Sequence, residues 1–435
     1  MDNYDWSNFC LVVNAIIWVA TFVVFQYKTR YFGVGSGILL LYAIISVLSI
    51  GLYHHSFKDV NIALFPFIYL FGMIILASYP ILSIKECCIQ TIIEPDMKLF
   101  KFVCIGIILF SFASLPNTII RIRENLINII VDSAAGAEAY GEKNLAMIAK
   151  SSSQLNIIGI LGGICGNIAI VFFMYYLTLK RKNTLILVAL GVSSVIGPLG
   201  DIANGGRAIM AVFVINSTFL YLFIRRFLSS GVRHKVTRCF ICIGILLLVP
   251  FVAVTLSRNK GDVDSALQMV ENYTAQGFLQ FNHYGLDAGG TRNGDYTAVA
   301  FKYLMGMDPA MYYSGRLSKY SHMKLDESMF YTFIGDFTLD YGPIGAFIII
   351  LLTALLFKKC LRTRNRSISF PQYLMLYLLM VGCLGYFQFP LGRESGNLIM
   401  IALLCLALVF KLSNDLEFHK RKSYGRKDFD CPCNI

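Results

Sequence analysis

The sequence predicts an all-α polytopic membrane protein of about eleven transmembrane helices, with its N-terminus outside, its C-terminus inside and one large external loop. Three observations carry that expectation. Of 435 residues, 56% are hydrophobic and only 15% charged, whereas a soluble domain needs roughly 25% charged residues to cover its surface. Apolar runs of about 18–22 residues recur along the whole chain, the length that crosses a hydrocarbon core of roughly 30 Å. Lysines and arginines cluster at the ends of those runs. That is the placement of topology signals, and it argues against nucleic acid as the partner of a chain with net charge +12.

In chain order, the expected spans lie near 8–26, 33–53, 62–84, 102–120, 154–178, 184–200, 208–224, 239–256, 342–357, 371–388 and 397–413. Residues 1–435 are read as a single membrane domain. Met1 to Trp6 carry no basic residue, so the first span is not a cleavable signal. Pro371 suits a first helical position, Pro390 follows the end of that span, and Gly197-Pro198 is expected to break the sixth span near its outer end. With the N-terminus outside, 24 of the 38 lysines and arginines fall on inner segments, and every inner loop obeys the positive-inside bias.

Two outer segments are long. Residues 119–153 begin with Ile119, Ile122, Leu126 and Ile129 at helical spacing, which suits an amphipathic helix on the membrane surface. The loop 257–341 holds nine tyrosines, with seven basic and ten acidic residues. Its aromatic content argues for a folded, functional loop. It has no cysteine, so no disulfide framework is expected there. Cys239, Cys242, Cys431 and Cys433, like Asp262 and Asp264, lack the second ligand pair that a metal site needs. No metal and no cofactor are expected.

The centres of the expected spans contain no Lys, Arg, Asp or Glu. A charge there costs roughly 2.5–3.5 kcal/mol on insertion scales and marks many coupled transporters, so coupled transport loses ground. Ionisable groups gather instead at the outer helix ends: Asp201, Arg207, Arg258, Asp336, Asp340, Arg393 and Glu394. In Asn204-Gly205-Gly206-Arg207, the glycines let a phosphate approach main-chain N–H groups while the arginine offers a planar fork. Such a ring suits a lipid-linked diphosphate, with its lipid in the bilayer and its glycan in the aqueous loop. Arg207 and Arg258 are the expected diphosphate ligands, and Arg292, Arg316 and Arg393 the reserves. Tyrosines stack on sugar faces, and Tyr312, Tyr313, Tyr331 and Tyr341 are the candidates.

The stretch Thr332-Phe-Ile-Gly-Asp336-Phe-Thr-Leu-Asp340-Tyr-Gly342-Pro-Ile-Gly345, which leads into a helix after a long outer loop, resembles the O-antigen and capsular repeat-unit polymerases (Wzy type). The turn Gly205-Gly206-Arg207 between two spans is similar to the arginine-bearing turn of the same group. The resemblance extends to helix count, topology and loop position along essentially the whole chain. It implies a metal-independent inverting glycosyltransferase at the outer face of the bacterial inner membrane. The enzyme would move a growing glycan from an undecaprenyl diphosphate carrier to the next carrier-linked repeat unit. Implied partners are the lipid-linked oligosaccharide donor and acceptor, membrane lipids, a flippase and a chain-length regulator.

The acceptor hydroxyl needs a base or an orienting acceptor. Asp336, Asp340, Glu327 and His322 are the candidates, and Asp340 serves equally as a helix cap. The related O-antigen ligases carry a functional histidine about eleven residues before the first glycine of their Gly-x-x-Gly helix start. Here that position is Tyr331, which counts against a ligase. Two further classes compete with the enzyme reading: a lipid-linked glycan flippase or polysaccharide exporter, and a sensor or scaffold with an adhesive loop.

Overall fold

A computed structural model describes residues 3–123, 157–203, 208–258, 262–310, 313–324, 329–363 and 366–424. Its helices are α1 (Asn3–Thr29), α2 (Val34–Ser56), α3 (Leu64–Leu82), α4 (Met97–Ala113), α5 (Leu115–Arg121), α6 (Ile157–Tyr176), α7 (Thr184–Ala203) and α8 (Ala208–Ile224). They continue with α9 (Ser230–Arg258), α10 (Val263–Tyr284), α11 (Val299–Leu304), α12 (Tyr313–Lys319), α13 (Thr332–Cys360), α14 (Phe370–Cys383) and α15 (Arg393–Tyr424). Two short strands, β1 (Thr91–Ile93) and β2 (Ser367–Ser369), pair in parallel with Ile92 opposite Ile368.

Among the described residues, each of the eleven expected spans overlaps helix, though not over its full length. Among the described residues, seven helices are long and apolar enough to cross a membrane: α1, α2, α3, α6, α7, α13 and α15. Helices α8 and α14 are apolar but shorter. The chain is therefore a mostly helical, polytopic membrane protein. Its outward surfaces carry large apolar side chains such as Phe102, Leu109, Leu185 and Ile344, as they must where lipid replaces water as the solvent.

Four details depart from the sequence expectation. The helix over 97–121 is interrupted at Ser114, where Pro116 opens α5 as a new first turn. Helix α7 runs through Pro198 and ends at Ala203 instead of breaking at Gly197-Pro198, so one missing N–H near a helix end is tolerated. Helix α14 stops at Cys383, short of the expected 388, because the chain turns back to bond another segment. Phe333 N–H donates to Gly385 O at 2.7 Å and Thr332 N–H to Phe387 O at 3.1 Å. Finally, α13 begins at Thr332, about ten residues before the expected span. The amphipathic stretch 119–153 is described only to residue 123, and Cys431 and Cys433 lie outside the described residues.

The large loop is folded, as its tyrosines suggest, but it does not simply sit above the bundle. Its helix α10 is amphipathic and drives its apolar face, Ala275, Phe278, Leu279 and Phe281, into the core. Phe278 packs on Trp18 and Tyr42, with ring centroids 6.3 and 6.2 Å away. Asn282 then locks α10 to the start of α3, accepting from Ala63 N–H at 2.9 Å and donating to Ala63 O at 2.7 Å. At the far end of the bundle, buried Glu86 accepts from the Val34 and Gly35 amides, placing an anion at the N-terminus of α2.

The break in α13 positions everything that follows. Gly342 has φ +73° and ψ 167°, a region that only glycine occupies readily, and Pro343 restarts the helix behind it. Residues 332–341 thereby turn toward the loop while 343–360 continue as an apolar helix. Gly342→Ala is expected to cost about 1–3 kcal/mol and to lower the thermal unfolding midpoint of the detergent-solubilised protein, read by circular dichroism. A midpoint equal to wild type would show that the break is not needed.

Candidate functional site

The site is built where the loop, the start of α13 and the segment before α15 meet. A glycine-rich turn, Gly289-Gly290-Thr291-Arg292-Asn293-Gly294, carries positive φ at Gly289, Asn293 and Gly294. Glycine and asparagine tolerate that region, which allows so tight a reversal. The turn delivers Arg292, 2% exposed, between two buried carboxylates of α13. Arg292 Nε donates to Asp340 at 2.8 Å, and Nη2 donates to the Asp336 carboxylate at 3.3 Å and to Asp336 O at 3.2 Å. The Arg292 amide donates to Leu339 O at 2.8 Å.

The spacing of Asp336 and Asp340 puts both carboxylates on one face of the helix, and each ties α13 to a different partner. The second oxygen of Asp340 accepts from Thr297 N–H at 2.7 Å, Thr297 Oγ1 at 2.6 Å and Tyr296 N–H at 3.3 Å. The second oxygen of Asp336 accepts from Phe389 N–H at 2.7 Å. Both acids are thus engaged in holding the site together. Asp340 caps the turn into α11, not the helix it sits on. Asn397 completes the frame from α15, donating to Thr297 O and Leu391 O and accepting from Ala300 N–H at 3.0 Å.

Tyr296 stands at the centre. Three guanidinium groups converge on its ring: Arg292 at 4.9 Å from the centroid, and Arg316 and Arg393 at 5.5 Å each. Cations favour the negative face of an aromatic ring, and a single ring helps to hold several of them close. The Tyr296 carbonyl accepts from Arg393 N–H at 2.7 Å and its hydroxyl donates to Gln388 at 3.1 Å. Burial, reinforced by Asp336 and opposed by the arginines, pushes the Tyr296 phenol up to about 12, so it remains a donor. Arg316 is 1% exposed, whereas Arg393 is exposed to solvent. Thr332 and Arg393 both hold positive φ, +69° and +58°, the kind of backbone strain that surrounding structure must over-determine.

A further buried carboxylate, Asp295, anchors the outer part of the loop. It pairs with Lys302 and, at 2.8 Å, with Lys319, and it accepts from Tyr320 Oη at 2.7 Å and Ala310 N–H at 3.0 Å. Burial pushes the Asp295 carboxyl up, but these four donors outweigh burial and hold it well below the usual carboxylate range.

Of the residues singled out by sequence, Asp336, Asp340, Arg292, Arg316 and Arg393 come together here. Tyr341 borders the site, its hydroxyl 3.2 Å from Thr297 Oγ1. Tyr331 is 2% exposed and packs with Ala288, Tyr320, Met323 and Leu339, which makes it a core residue and not an open sugar platform. His322 is exposed and lies beside Gly290. Arg258 and Tyr313 are placed by backbone alone, at the end of α9 and the start of α12. Gly205, Gly206, Arg207, Tyr312 and Glu327 lie outside the described residues. Asp201, earlier in the chain, accepts from Ile209 N–H. No cluster of three metal-ligating side chains occurs among the described residues. Tyr296, Asp295 and Asn397 were missed by sequence reasoning. The glycines on both sides of Arg292 repeat the signature that draws attention to Arg207, and they were the signal to be found.

Comparison with protein-family models, with curated proteins and with solved structures finds no match.

Removing one member of a buried ion pair leaves its partner charged and dry, at a cost of about 3–5 kcal/mol. Arg292→Met is therefore expected to be severely destabilising, while Arg393→Ala, which loses its approach to the Tyr296 ring, is expected to cost only about 0.5–1 kcal/mol. Thermal unfolding in detergent checks both. Asp295→Asn is expected to cost about 2 kcal/mol. Because the folded-state value of Asp295 is depressed, its contribution is fully present above the unfolded value of about 3.9 and lost as pH falls below it. The melting gap between wild type and Asp295→Asn should stay constant from about pH 8 to 5 and close only below about pH 4.

Proposed function

We propose that this chain is a repeat-unit polymerase of the O-antigen and capsular type, a glycosyltransferase working on undecaprenyl-diphosphate-linked oligosaccharides at the outer face of a bacterial plasma membrane. The observation that carries the reading is the convergence of Arg292, Arg316 and Arg393 on Tyr296 beside the start of α13. Arg292 pairs there with buried Asp336 and Asp340, and Lys302 and Lys319 pair with buried Asp295. Arg316 and Arg393 bring further positive charge to the same ring. A diphosphate carries the complementary charge, and a membrane protein meets it on a lipid carrier.

In this reading the eleven spans cross with the N-terminus outside, which puts the arginine site at the outer interface. An acceptor sugar hydroxyl attacks the anomeric carbon of the donor glycan and loses its proton to solvent, and the bond from that carbon to the diphosphate oxygen breaks. Undecaprenyl diphosphate leaves, its growing charge stabilised by Arg393 together with Arg207, while Arg316, buried at the Tyr296 ring, adds positive potential from behind. Arg292, committed to Asp336 and Asp340, positions the turn and fixes the Tyr296 ring. Asp340, whose two oxygens are taken up by Arg292, Tyr296 and Thr297, is a positioning residue and not the base. No metal takes part. A flippase supplies the lipid-linked units from the inner leaflet, and a chain-length regulator acts on the product.

Purified full-length protein, given lipid-linked repeat units, is expected to form a ladder of longer glycans. Arg393→Ala should lower chain extension by about two orders of magnitude while costing no more than about 1 kcal/mol of stability, and Arg393→Lys should recover part of the extension, since a lysine keeps the charge but not the fork. Full extension by Arg393→Ala, or no ladder from the wild-type protein, would overturn the assignment.

A further inference from the structure

At the other end of α13, far from the arginine site, lies a cavity of about 680 Å³ between the end of α3, the end of α13 and the connection into β2. Five cations line it: Lys85, Lys358, Lys359, Arg362 and Arg366. No carboxylate is among its described lining residues. Its remaining wall is largely apolar, with Pro80, Ile84, Leu355 and Leu361. Lys358 is held in place by Tyr79, donating to its hydroxyl at 3.0 Å and lying 4.7 Å from its ring centroid.

The surroundings identify the kind of ligand. Residues 343–360 rise about 27 Å, close to the thickness of a hydrocarbon core, so the cavity opens at the opposite membrane interface. An exposed apolar stripe on α13, formed by Ile344, Phe347, Ile348, Leu352, Leu355 and Leu356, runs down the helix and ends at this cationic rim. Inorganic phosphate would use the rim and have no use for the stripe. A molecule with two acyl chains and a negatively charged head uses both. Basic pockets beside membrane helices are a recurring setting for anionic head groups.

We propose that this cavity binds the phosphodiester head group of an anionic glycerophospholipid, with its acyl chains laid along the outer stripe of α13. The site is separate from the arginine cluster and does not depend on the function assigned to that cluster. Because α13 carries the bound lipid at one end and Asp336 and Asp340 at the other, the lipid anchors the helix on which the outer site is built.

The test is native mass spectrometry of the purified full-length protein, titrated with phosphatidylglycerol, phosphatidylcholine or inorganic phosphate. Phosphatidylglycerol is expected to bind at least tenfold more tightly than phosphatidylcholine and to resist displacement by millimolar phosphate. Lys359→Gln with Arg362→Gln should weaken phosphatidylglycerol binding at least tenfold, whereas Arg233→Gln, on a basic segment outside the cavity, should not. Equal binding of the two lipids, displacement by phosphate, or undiminished binding to the double variant would each overturn the proposal. Should the double variant fail to fold, a photoreactive phosphatidylglycerol analogue on the unaltered protein decides. Labelling within residues 79–90 or 355–363 supports the site, and labelling confined to other segments overturns it.

Discussion

One guanidinium between two carboxylates organises the loop end of this protein. Arg292 is nearly inaccessible, and so are Asp336 and Asp340. In such surroundings each charge is tolerable only because the others are there, since isolated burial costs several kcal/mol per ion. The arrangement also uses the spare lone pairs. Asp340 collects the amides of Tyr296 and Thr297, Asp336 collects that of Phe389, and the Arg292 carbonyl accepts from Tyr320 at 2.8 Å. Four separate segments are thereby referred to one salt bridge. Replacing it by apolar packing would leave those donors without acceptors, so the network is a positioning device more than a source of stability.

The second constraint is the solvent. A lipid-facing bundle has no water to satisfy main-chain groups, so helices run long and polar side chains retreat to the ends. This protein concentrates its chemistry accordingly. Buried acids and arginines crowd the loop end of α13, and five cations rim the other end. Between them the helix presents mostly apolar groups outward, from Ile344 to Leu356. Helix α10 is the exception that links the two regimes. It belongs by sequence to an outer loop, yet its phenylalanines lie among the rings of Trp18, Tyr42 and Tyr69.

Legibility in the sequence follows the length scale of the signal. Apolar runs of membrane length are readable as helices because the pattern repeats over about twenty residues and tertiary context hardly alters it. Break points are harder. Pro198 looks like a stop but lies in a continuous helix, while the actual break, Gly342-Pro343, depends on a backbone conformation that composition does not reveal. For the site, the residue types are visible and the pairings are not. Arg292 and Asp340 are 48 residues apart, and nothing in one sequence states which loop cation meets which acid. The same long separation hides Tyr296. As one of nine loop tyrosines it has no distinguishing neighbour until the fold surrounds it with arginines from three segments. Arg207, the residue that sequence reading favours most, lies outside the described residues.

The bond from Asn397 to Thr297 spans 100 residues, which has a consequence for the order of assembly. During synthesis the arginine turn emerges first, its two acids follow after 44 and 48 residues, and Asn397 arrives only with the last helix. Until α15 docks, the amide of Ala300 and the carbonyls of Thr297 and Leu391 have no partner from it. The frame around Thr297 can therefore close only after the last helix has been made. A chain halted before α15 would keep most of its apolar helices and still lack the Asn397 bonds that hold the segments around Thr297 together.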